Sequence, residues 1–523
     1  MKETQAFIRK LKAENRETVY DLIKSIINAM NSAERKYAKH YLMMLHNTEF
    51  ETQSLQLFRY IQDSPSATEQ EARKDLIKTN PKINFDWVLN VLKKHLGWSL
   101  ASEYNTQRED AYSYKWKTTF EIRNNITLYY ILKSRQISGY AFDLLNETIE
   151  KAKEVEAYIE LTSALELKIR HIKARSETRQ MTKLEKDLAF YKNCEKAVIE
   201  ANRIYYDVAT ITRKQGISGD KQLAICQKNL KVLNQLYGET QSDSILDYCL
   251  FVEASIYLIQ KDFNSTGKIL QKQYDITLNS LTLNSKPNLG RSAALLAENH
   301  LRQFNLDLAM TFCKKAKSYF PEGSFNYFQS EFLEFHALFY TNKFYQAEKK
   351  MQGILNNPNY RESEYMINTK KYLVACTLFA QSKFKDAITS LLSLEKIWND
   401  TTGWNVGIRI LIMLCYKMLG EYELMAIERA RFRTLFDKYR HRATISNRDR
   451  ITLKIIHEFL KPNSDFKSVL ERKNDLFQKL LTPGYEWKVM SHELIVFEQW
   501  FMCMLNRKPY KFEHDFVEGG GNK

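Results

Sequence analysis

Apolar residues recur along most of this chain at the three- and four-residue spacing that marks one face of an α-helix. Capping signals open two of these stretches, at Asn31–Glu34 and at Thr68–Glu71. Only 16 glycines and 8 prolines interrupt the 523 residues, which leaves few tight turns. The pattern therefore predicts an all-α protein. The clearest apolar stripe runs through Phe85, Val88, Leu89, Leu92, Leu96 and Leu100.

A ten-residue pattern occurs twice in the middle of the chain. Residues 338–347 read LFYTNKFYQA and residues 378–387 read LFAQSKFKDA, with five of ten positions identical. In each copy a helix ends at a polar turn, and a large apolar residue, which we call the anchor, begins the next helix. An aromatic anchor fills the corner between two antiparallel helices. Anchors stand at Phe263, Leu306, Phe344, Phe384 and Tyr422, at intervals of 43, 38, 40 and 38 residues.

A second position lies three residues after each anchor, and we call it the slot. A small side chain in the slot lets two helix axes approach closely. Alanine is kept in the three middle slots and replaced in the outer two. The five slots are Thr266, Ala309, Ala347, Ala387 and Met425. Two-helix units that recur about every 40 residues predict a stacked α-solenoid, in which each unit covers its neighbour's apolar face.

The anchor and the slot resemble the tetratricopeptide repeat (TPR), in which a tyrosine after a short turn precedes an alanine in the second helix. The resemblance covers residues 255–440 and continues more weakly upstream, through 134–155 and 207–230. It implies a right-handed α-solenoid of antiparallel helix pairs with helical caps at both ends. The chain departs from the family in having a period longer than about 34 residues. It also carries Phe335 where glycine or alanine is usual.

The first 125 residues and the last 62 residues read differently from the repeats. The amino-terminal block, with its SAERKYAKHY stretch, resembles the leading segment of functionally uncharacterised all-helical bacterial proteins that continue into TPR-like repeats. Near the other end, an aromatic-rich stretch suits the terminal unit that covers a solenoid's last apolar face. Its bulky residues are Trp487, Phe497, Trp500 and Phe501. The closing VEGGGNK is expected to be disordered.

These differences divide the chain into five predicted segments. The segments are an N-terminal helical domain (1–125), divergent helical repeats (126–254), TPR-like repeats (255–461), a C-terminal helical cap (462–510) and a tail (511–523).

Composition and charge bear on location and partners. A formal charge of +16 and a pI near 9.2 attract polyanions such as RNA, DNA or acidic proteins. The seven cysteines are scattered without a CxxC pair, as is typical of reduced thiols in a cytoplasmic protein. No window reaches the roughly 18 apolar residues of a membrane span, and the first residues lack a signal-peptide core. We therefore expect a cytoplasmic protein without membrane insertion.

The sequence favours no catalytic chemistry. It contains neither GxxxxGK[ST] nor GxGxxG, the glycine-rich loops that bind phosphates. Two His-Glu pairs, at 457 and 492, begin like a helical zinc motif, but Lys461 and Val496 stand where the second histidine is required. His336 lies among apolar residues and is interpreted as a packing histidine with satisfied hydrogen bonds. We expect no enzyme activity, no cofactor and no metal site.

The strongest candidate for a binding surface is the stretch Arg429–Arg450, which holds seven arginines and one lysine against two aspartates. On a helix, Phe432, Leu435, Phe436 and Tyr439 share one face. Basic residues line both sides of that face, and arginine forks bind phosphate in two places at once. One side carries Arg429, Arg433 and Arg440, and the other carries Arg431, Lys438 and Arg442. The competing interpretation is that these side chains only flank a buried stripe, with their charges in water.

A second basic stretch runs from Lys168 to Lys183, and its Lys168, Arg175 and Arg179 fall on one helix face. If both stretches line the same concave surface, a groove for RNA or for an acidic peptide is favoured.

Three functions are consistent with this sequence. The leading hypothesis is a non-catalytic scaffold or adaptor that binds a protein or peptide along the helical-repeat surface. The second is an RNA-, ribosome- or DNA-associated factor that uses the arginine-rich helical stretches. The third is a ligand-responsive regulator or defence component, in which the amino-terminal helices act and the repeats sense.

Overall fold

The computed structural model describes the chain in segments. They are residues 18–44, 49–79, 81–103, 113–173, 178–213, 218–358, 364–394, 404–439, 446–461, 464–482, 484–485 and 487–514. Over these segments every regular element is a helix, and no helix combines the length and the apolar content that crossing a bilayer requires. The chain divides into two compact units, Met1–Tyr112 and Ser113–Lys523. The predicted boundary at residue 125 falls inside the first helix of the second unit.

The first unit is built around its last helix, α5, which packs against α1, α2 and α3. Both predicted capping signals are confirmed: Asn31 caps α2 with Glu34, and Thr68 caps α4 with Glu71. The apolar stripe that begins at Phe85 is the buried face of α5. The helices of this unit are α1 (Val19–Ala29), α2 (Ser32–Met44), α3 (Glu49–Asp63), α4 (Glu69–Thr79) and α5 (Phe85–Glu103).

The second unit is a series of helices in which each one from α6 to α19 packs against the next, so that sequential packing runs as far as α20. This sequential packing agrees with the coarse prediction of helices stacked in chain order. The helices are α6 (Tyr114–Ser134), α7 (Ser138–Glu154), α8 (Tyr158–Lys173), α9 (Thr178–Arg213), α10 (Gly219–Thr240), α11 (Asp243–Ile259), α12 (Phe263–Asn279), α13 (Lys286–Arg302), α14 (Leu306–Tyr319), α15 (Phe325–Tyr340), α16 (Phe344–Leu355), α17 (Glu364–Ala380), α18 (Phe384–Leu392), α19 (Trp404–Leu419), α20 (Tyr422–Tyr439), α21 (Asn447–Phe459), α22 (Phe466–Leu480) and α23 (Phe497–Leu505).

Each of the five predicted anchors is the first residue of a helix, and each of the five slot residues is buried. The turn before each anchor has the same geometry. A residue two positions before the anchor adopts a left-handed backbone, and two hydrogen bonds to the preceding helix close the turn as in a Schellman motif. Two turns upstream, before α7 and before α8, repeat this geometry. The seven left-handed residues are Gln136, Glu156, Lys261, Phe304, Asn342, Ser382 and Gly420.

The largest hydrophobic core extends from α11 to Phe512 and includes the last part of the chain. The four aromatic residues predicted to cover the terminal unit are buried in it. Their neighbours correct one detail, because Trp487 contacts Phe304 and Tyr340, and Trp500 contacts Phe379. The cover therefore extends over helices well inside the series. Phe512, assigned above to the tail, is also buried in this core, whereas VEGGGNK lies outside the described residues.

Candidate functional site

After α22 the chain returns to helices that lie earlier in the series. Residues 487–496, which we call the return segment, are non-helical and contact α15 and α17. The Met490 N–H donates to the Tyr340 hydroxyl oxygen at 3.0 Å, and the Tyr372 hydroxyl donates to the His492 carbonyl at 2.9 Å. Burial raises the pKa of both tyrosines well above the usual range. Both hydroxyls therefore stay neutral and available for hydrogen bonds to backbone.

A second non-helical stretch, residues 508–514, follows α23, and we call it the tail segment. Tyr510 and Phe512 are each 4% exposed. Lys511, which lies between them, and Glu513, which follows them, face solvent. Alternation with a period of two is the signature of an extended chain that lies along a surface. The tail segment is therefore bound in an extended form to helices of its own unit.

Two carboxamide side chains hold the backbone of the tail segment. Asn342 donates from Nδ2 to the Phe512 carbonyl at 3.1 Å and accepts from the Phe512 N–H at 2.7 Å. Gln499 does the same to the next residue, donating to the Glu513 carbonyl at 2.6 Å and accepting from its N–H at 3.3 Å. Because consecutive residues of an extended chain point their backbone groups to opposite sides, the two amides clamp the segment from both sides.

Phe512 inserts between aromatic rings that come from one turn, from the end of α15 and from the return segment. Its ring centroid lies 5.7 Å from that of Phe304, with the planes nearly parallel at 11°. The rings of Tyr340 and Trp487 lie 5.0 Å and 5.5 Å away. Phe304 is the left-handed residue of the turn between α13 and α14, so the turn geometry itself presents this ring.

Tyr510 occupies a second pocket, beside the anchor of the next helix pair. It stacks on Phe344 at 5.8 Å with an interplanar angle of 25°. Its hydroxyl accepts a hydrogen bond from the Val496 N–H at 3.3 Å, and burial raises its pKa well above the usual value. The tail segment is thus recognised by two aromatic pockets and by backbone contacts between them.

A buried ion cluster fixes the return segment to α21. Arg448, which is 5% exposed, donates to both oxygens of Glu493, at 2.6 and 2.9 Å, and to Glu498 at 2.6 Å. Burial alone would lower the pKa of Arg448, but the two carboxylates outweigh it and raise that pKa. Burial also raises the pKa of Glu498 despite its ionic partner. Beside the cluster, His492 Nε2 and Asp449 Oδ1 lie 3.1 Å apart.

A cavity of about 60 Å³ lies where α17, α19, α21 and the return segment meet. It is mostly apolar, but the buried Thr452 hydroxyl and Trp500 indole N–H on its wall find no hydrogen-bond partner among the described residues. A water molecule needs about 10–15 Å³ of such space, so the cavity has room for several waters that could satisfy both groups.

The basic residues predicted along both sides of the Phe432 face, which we call the arginine rails, are only partly within the described side chains. Arg431 pairs with the buried Glu428 at 2.6 Å, and Glu428 also accepts from Arg409 at 2.6 Å. Arg429 Nη2 lies 3.4 Å from His457 Nε2. Phe432 packs against the core as the predicted stripe requires. The side chains of Arg433 and Lys438, and the whole of Arg440 and Arg442, lie outside the described residues.

The second basic stretch can be assessed at one residue. Lys168 lies over the Phe142 ring at 5.6 Å, and burial lowers its pKa. Arg175 and the side chain of Arg179 lie outside the described residues. Lys168 belongs to α8, which packs against α6, α7 and α9, whereas the arginine rails begin on α20, which packs against α19. The described side chains therefore form no single cluster from the two stretches.

The histidines behave largely as packing residues. His336 is buried among Phe332, Phe335 and Tyr340, as predicted. The expectation that its hydrogen bonds are satisfied is wrong, since neither ring nitrogen finds a partner within the described part of the chain. Burial lowers its pKa to about 3. In that same part of the chain, no three His, Cys, Asp or Glu side chains group as a metal site would require.

Sequence reasoning missed the residues that hold the two non-helical segments. Arg448 was counted with the surface cations, although it is a buried partner of two carboxylates. Asn342 was only a turn residue. One signal was available: residues 334–340 and 372–380 are buried on every side, and their sequences lack a polar face. A helix that is apolar all round must be covered by something.

No family model matches the chain, and no curated protein matches it either.

Proposed function

We propose that this protein is a non-catalytic interaction scaffold. In this proposal the second unit is a TPR-like, right-handed α-solenoid of helix pairs about 40 residues long. It binds an extended segment of a protein or peptide along the surface of its helices. The protein binds this ligand without catalysing a reaction, and side chains of its helices and turns form hydrogen bonds with the ligand backbone.

The observation that carries this proposal is the way the unit binds its own non-helical backbone. Tyr340, Asn342 and Tyr372 come from two neighbouring helix pairs, and each makes a side chain–backbone hydrogen bond to residues 490–512. Helical-repeat surfaces that bind extended peptides need polar side chains at such positions, because the peptide brings unpaired backbone groups. Helices of the same unit that are not covered in this way can supply such side chains to another chain.

An open groove offers room for that other chain. It lies between α12 and α13, has a volume of about 680 Å³, and is lined by both polar and apolar side chains. Lys268, Lys272 and Asp275 stand on its α12 side, and Leu296 and His300 on its α13 side. A ligand with both backbone polarity and apolar side chains suits such a lining.

A photo-crosslinking experiment in the native host tests the proposal. A photoreactive phenylalanine analogue replaces Gln271, which lines the groove, and in a second variant it replaces Leu278, which is exposed on the same helix outside the groove lining. We expect a specific protein to be crosslinked from position 271 and not from 278. The scaffold proposal fails if the two positions give the same products. Recovery of nucleic acid instead, lost steeply between low and moderate salt, would favour the polyanion-binding alternative.

A further inference from the structure

The tail segment has the contacts of a bound peptide ligand. Its buried part, which begins at Tyr510, is joined to α23 through Asn506–Pro509, four consecutive exposed residues, so it is attached to the unit mainly through its own contacts. Those contacts are of two kinds. The amides of Asn342 and Gln499 bind backbone N–H and C=O groups, which every peptide has.

The second kind of contact selects side chains. Two pockets, one at Phe304 and one at Phe344, each accept an aromatic ring, and the residues accepted are two positions apart. The residue between them, Lys511, and the residue after them, Glu513, point to solvent and are free to vary. Backbone hydrogen bonds that give affinity, combined with pockets for alternate side chains that give specificity, are a general mode of extended-peptide recognition.

We propose that the Asn342–Gln499 site is an exchangeable peptide site. Its ligand in trans is an extended protein segment with aromatic residues at positions i and i+2, and the chain's own tail segment occupies the site until such a partner displaces it. This inference depends on the proposed scaffold function and names the partner's chemistry.

Tethering makes the tail segment a strong competitor. A short exposed linker gives an effective concentration of the order of millimolar, so a free peptide with the same contacts competes poorly against it. Weakening the tail segment's own side chains should therefore uncover the site. The Tyr510→Ala/Phe512→Ala variant of the full chain removes both rings and keeps the binding surface intact.

The test uses a fluorescent peptide with the sequence of residues 507–515, RKPYKFEHD. We expect Tyr510→Ala/Phe512→Ala to bind it at least tenfold more tightly than the wild-type chain does. A further Asn342→Ala substitution should reverse that gain. The matched control Lys511→Ala/Glu513→Ala changes only outward-facing residues and should bind as weakly as wild type. A folded double variant that binds no more tightly than wild type overturns the proposal.

A wild-type measurement keeps the proposal testable if the double variant does not fold. 4-Fluorophenylalanine at position 512 of the full chain reports the ring's environment by ¹⁹F NMR. Excess unlabelled peptide should move this resonance to its solvent-exposed position, whereas a peptide with alanine at both aromatic positions should not. A resonance that stays in place at saturating peptide refutes exchange.

The two proposals fail separately. Specific crosslinks from Gln271 combined with an immobile ¹⁹F resonance would leave the scaffold standing without the exchangeable site. No specific crosslink together with peptide exchange would place binding at the tail site alone. Failure of both measurements removes the peptide-binding function altogether.

Discussion

The helices α13 and α17 are each the first helix of a pair and are each followed by a turn and an anchor of the same kind, but they are buried very differently. In α13 no more than two consecutive residues are buried, and partly exposed positions separate them. In α17 the nine residues 372–380 are all buried. An ordinary amphipathic helix buries one stripe, whereas a helix buried all round has been covered on its second face.

The formation of a helix pair and the burial of its second face therefore depend on different residues in this molecule. Local residues, the anchor and the slot, build each helix pair. Whether the open face of the pair meets solvent or protein is decided by the return and tail segments, which cover α15, α17 and α19 and leave the groove of α12 and α13 open. The covered region should therefore depend on remote residues, and the open region on local ones.

Removing the guanidinium of Arg448 should cause the largest loss of stability in the covered region. In Arg448→Met the carboxylates of Glu493 and Glu498 remain buried without their cation, which is expected to lower the free energy of unfolding by about 3–5 kcal/mol. Arg291→Met is the counterpart on α13, where the arginine pairs with the buried Asp247 at 2.7 Å. Its side chain is 27% exposed, against 6% for Arg448, so we expect a smaller loss. Urea unfolding followed by circular dichroism measures both.

The control for this pair is Arg450→Met, which removes an exposed arginine from the same helix as Arg448. It should change the free energy of unfolding by less than about 0.5 kcal/mol. An equal loss in Arg448→Met and Arg291→Met would contradict the distinction between covered and open regions.

The next largest losses of stability are expected when a methyl group is added at Gly290 or at Gly407. A Cβ at Gly290 would lie 2.6–3.0 Å from three ring atoms of Phe320, so Gly290→Ala should cost about 1–3 kcal/mol by displacing a rigid ring. At Gly407 it would lie 2.7 Å from the Tyr372 hydroxyl, and losing the hydroxyl's bond to the return segment should cost about 1 kcal/mol.

Thermal unfolding of the two glycine variants gives the order of the losses. Gly353→Ala is the matched control, because its Cβ would meet nothing within 4 Å. It should stabilise the protein by about 0.5–1 kcal/mol, since alanine loses less backbone entropy in a helix. If protease cleaves the return segment in Gly407→Ala and not in Gly290→Ala, the distinction between covered and open regions is supported. The reverse result would contradict it.

A smaller loss of stability is expected in mild acid, and it should depend more on His336 than on His300. The folded pKa of His336 is about 3, below the ordinary value of 6.5, so the unfolded chain binds the extra proton between these pH values. Its contribution to stability is therefore complete above pH 6.5 and is lost as the pH falls towards 3. At pH 5.5 the loss should reach about 1 kcal/mol and should be absent in His336→Phe.

His300 on α13 provides the comparison, because burial lowers its pKa as well but the residue remains partly exposed. His300→Phe should remove less of the acid-induced loss than His336→Phe does. The measurement is the urea midpoint at pH 7.5 and pH 5.5. If His336→Phe keeps the full loss, other groups cause it.

How far the sequence could predict this molecule follows from the range of each interaction. The anchors and slots were predictable because the residues that define a turn, such as Lys343, Phe344 and Ala347, lie within one helical turn of each other. The position of the tail segment was not, because the bond between Asn342 and Phe512 joins residues 170 positions apart. No local pattern specifies which of many surfaces a distant extended segment will cover.

The candidate site shows the same limit. Counting charges placed Arg448 with the surface cations, since its partners Glu493 and Glu498 lie 45 and 50 positions away. Two features of the sequence indicated that a helix face is covered and that a segment is extended, but neither identified the residues in contact. One was the absence of a polar face in residues 372–380 of α17, and the other was the alternation around Tyr510 and Phe512 in an otherwise helical chain.

The smallest effect is expected at Arg431, where the scaffold and polyanion hypotheses differ. An arginine that contacts phosphate in single-stranded RNA contributes about 0.7 to the slope of log affinity against log salt concentration. Arg431 already pairs at 2.6 Å with Glu428, a buried carboxylate that also pairs with Arg409. We therefore expect Arg431→Gln to change the salt slope for oligouridine binding by less than about 0.3. Arg429→Gln is the matched variant on the same helix, and a fall of about 0.7 at either position would favour the polyanion hypothesis over the scaffold.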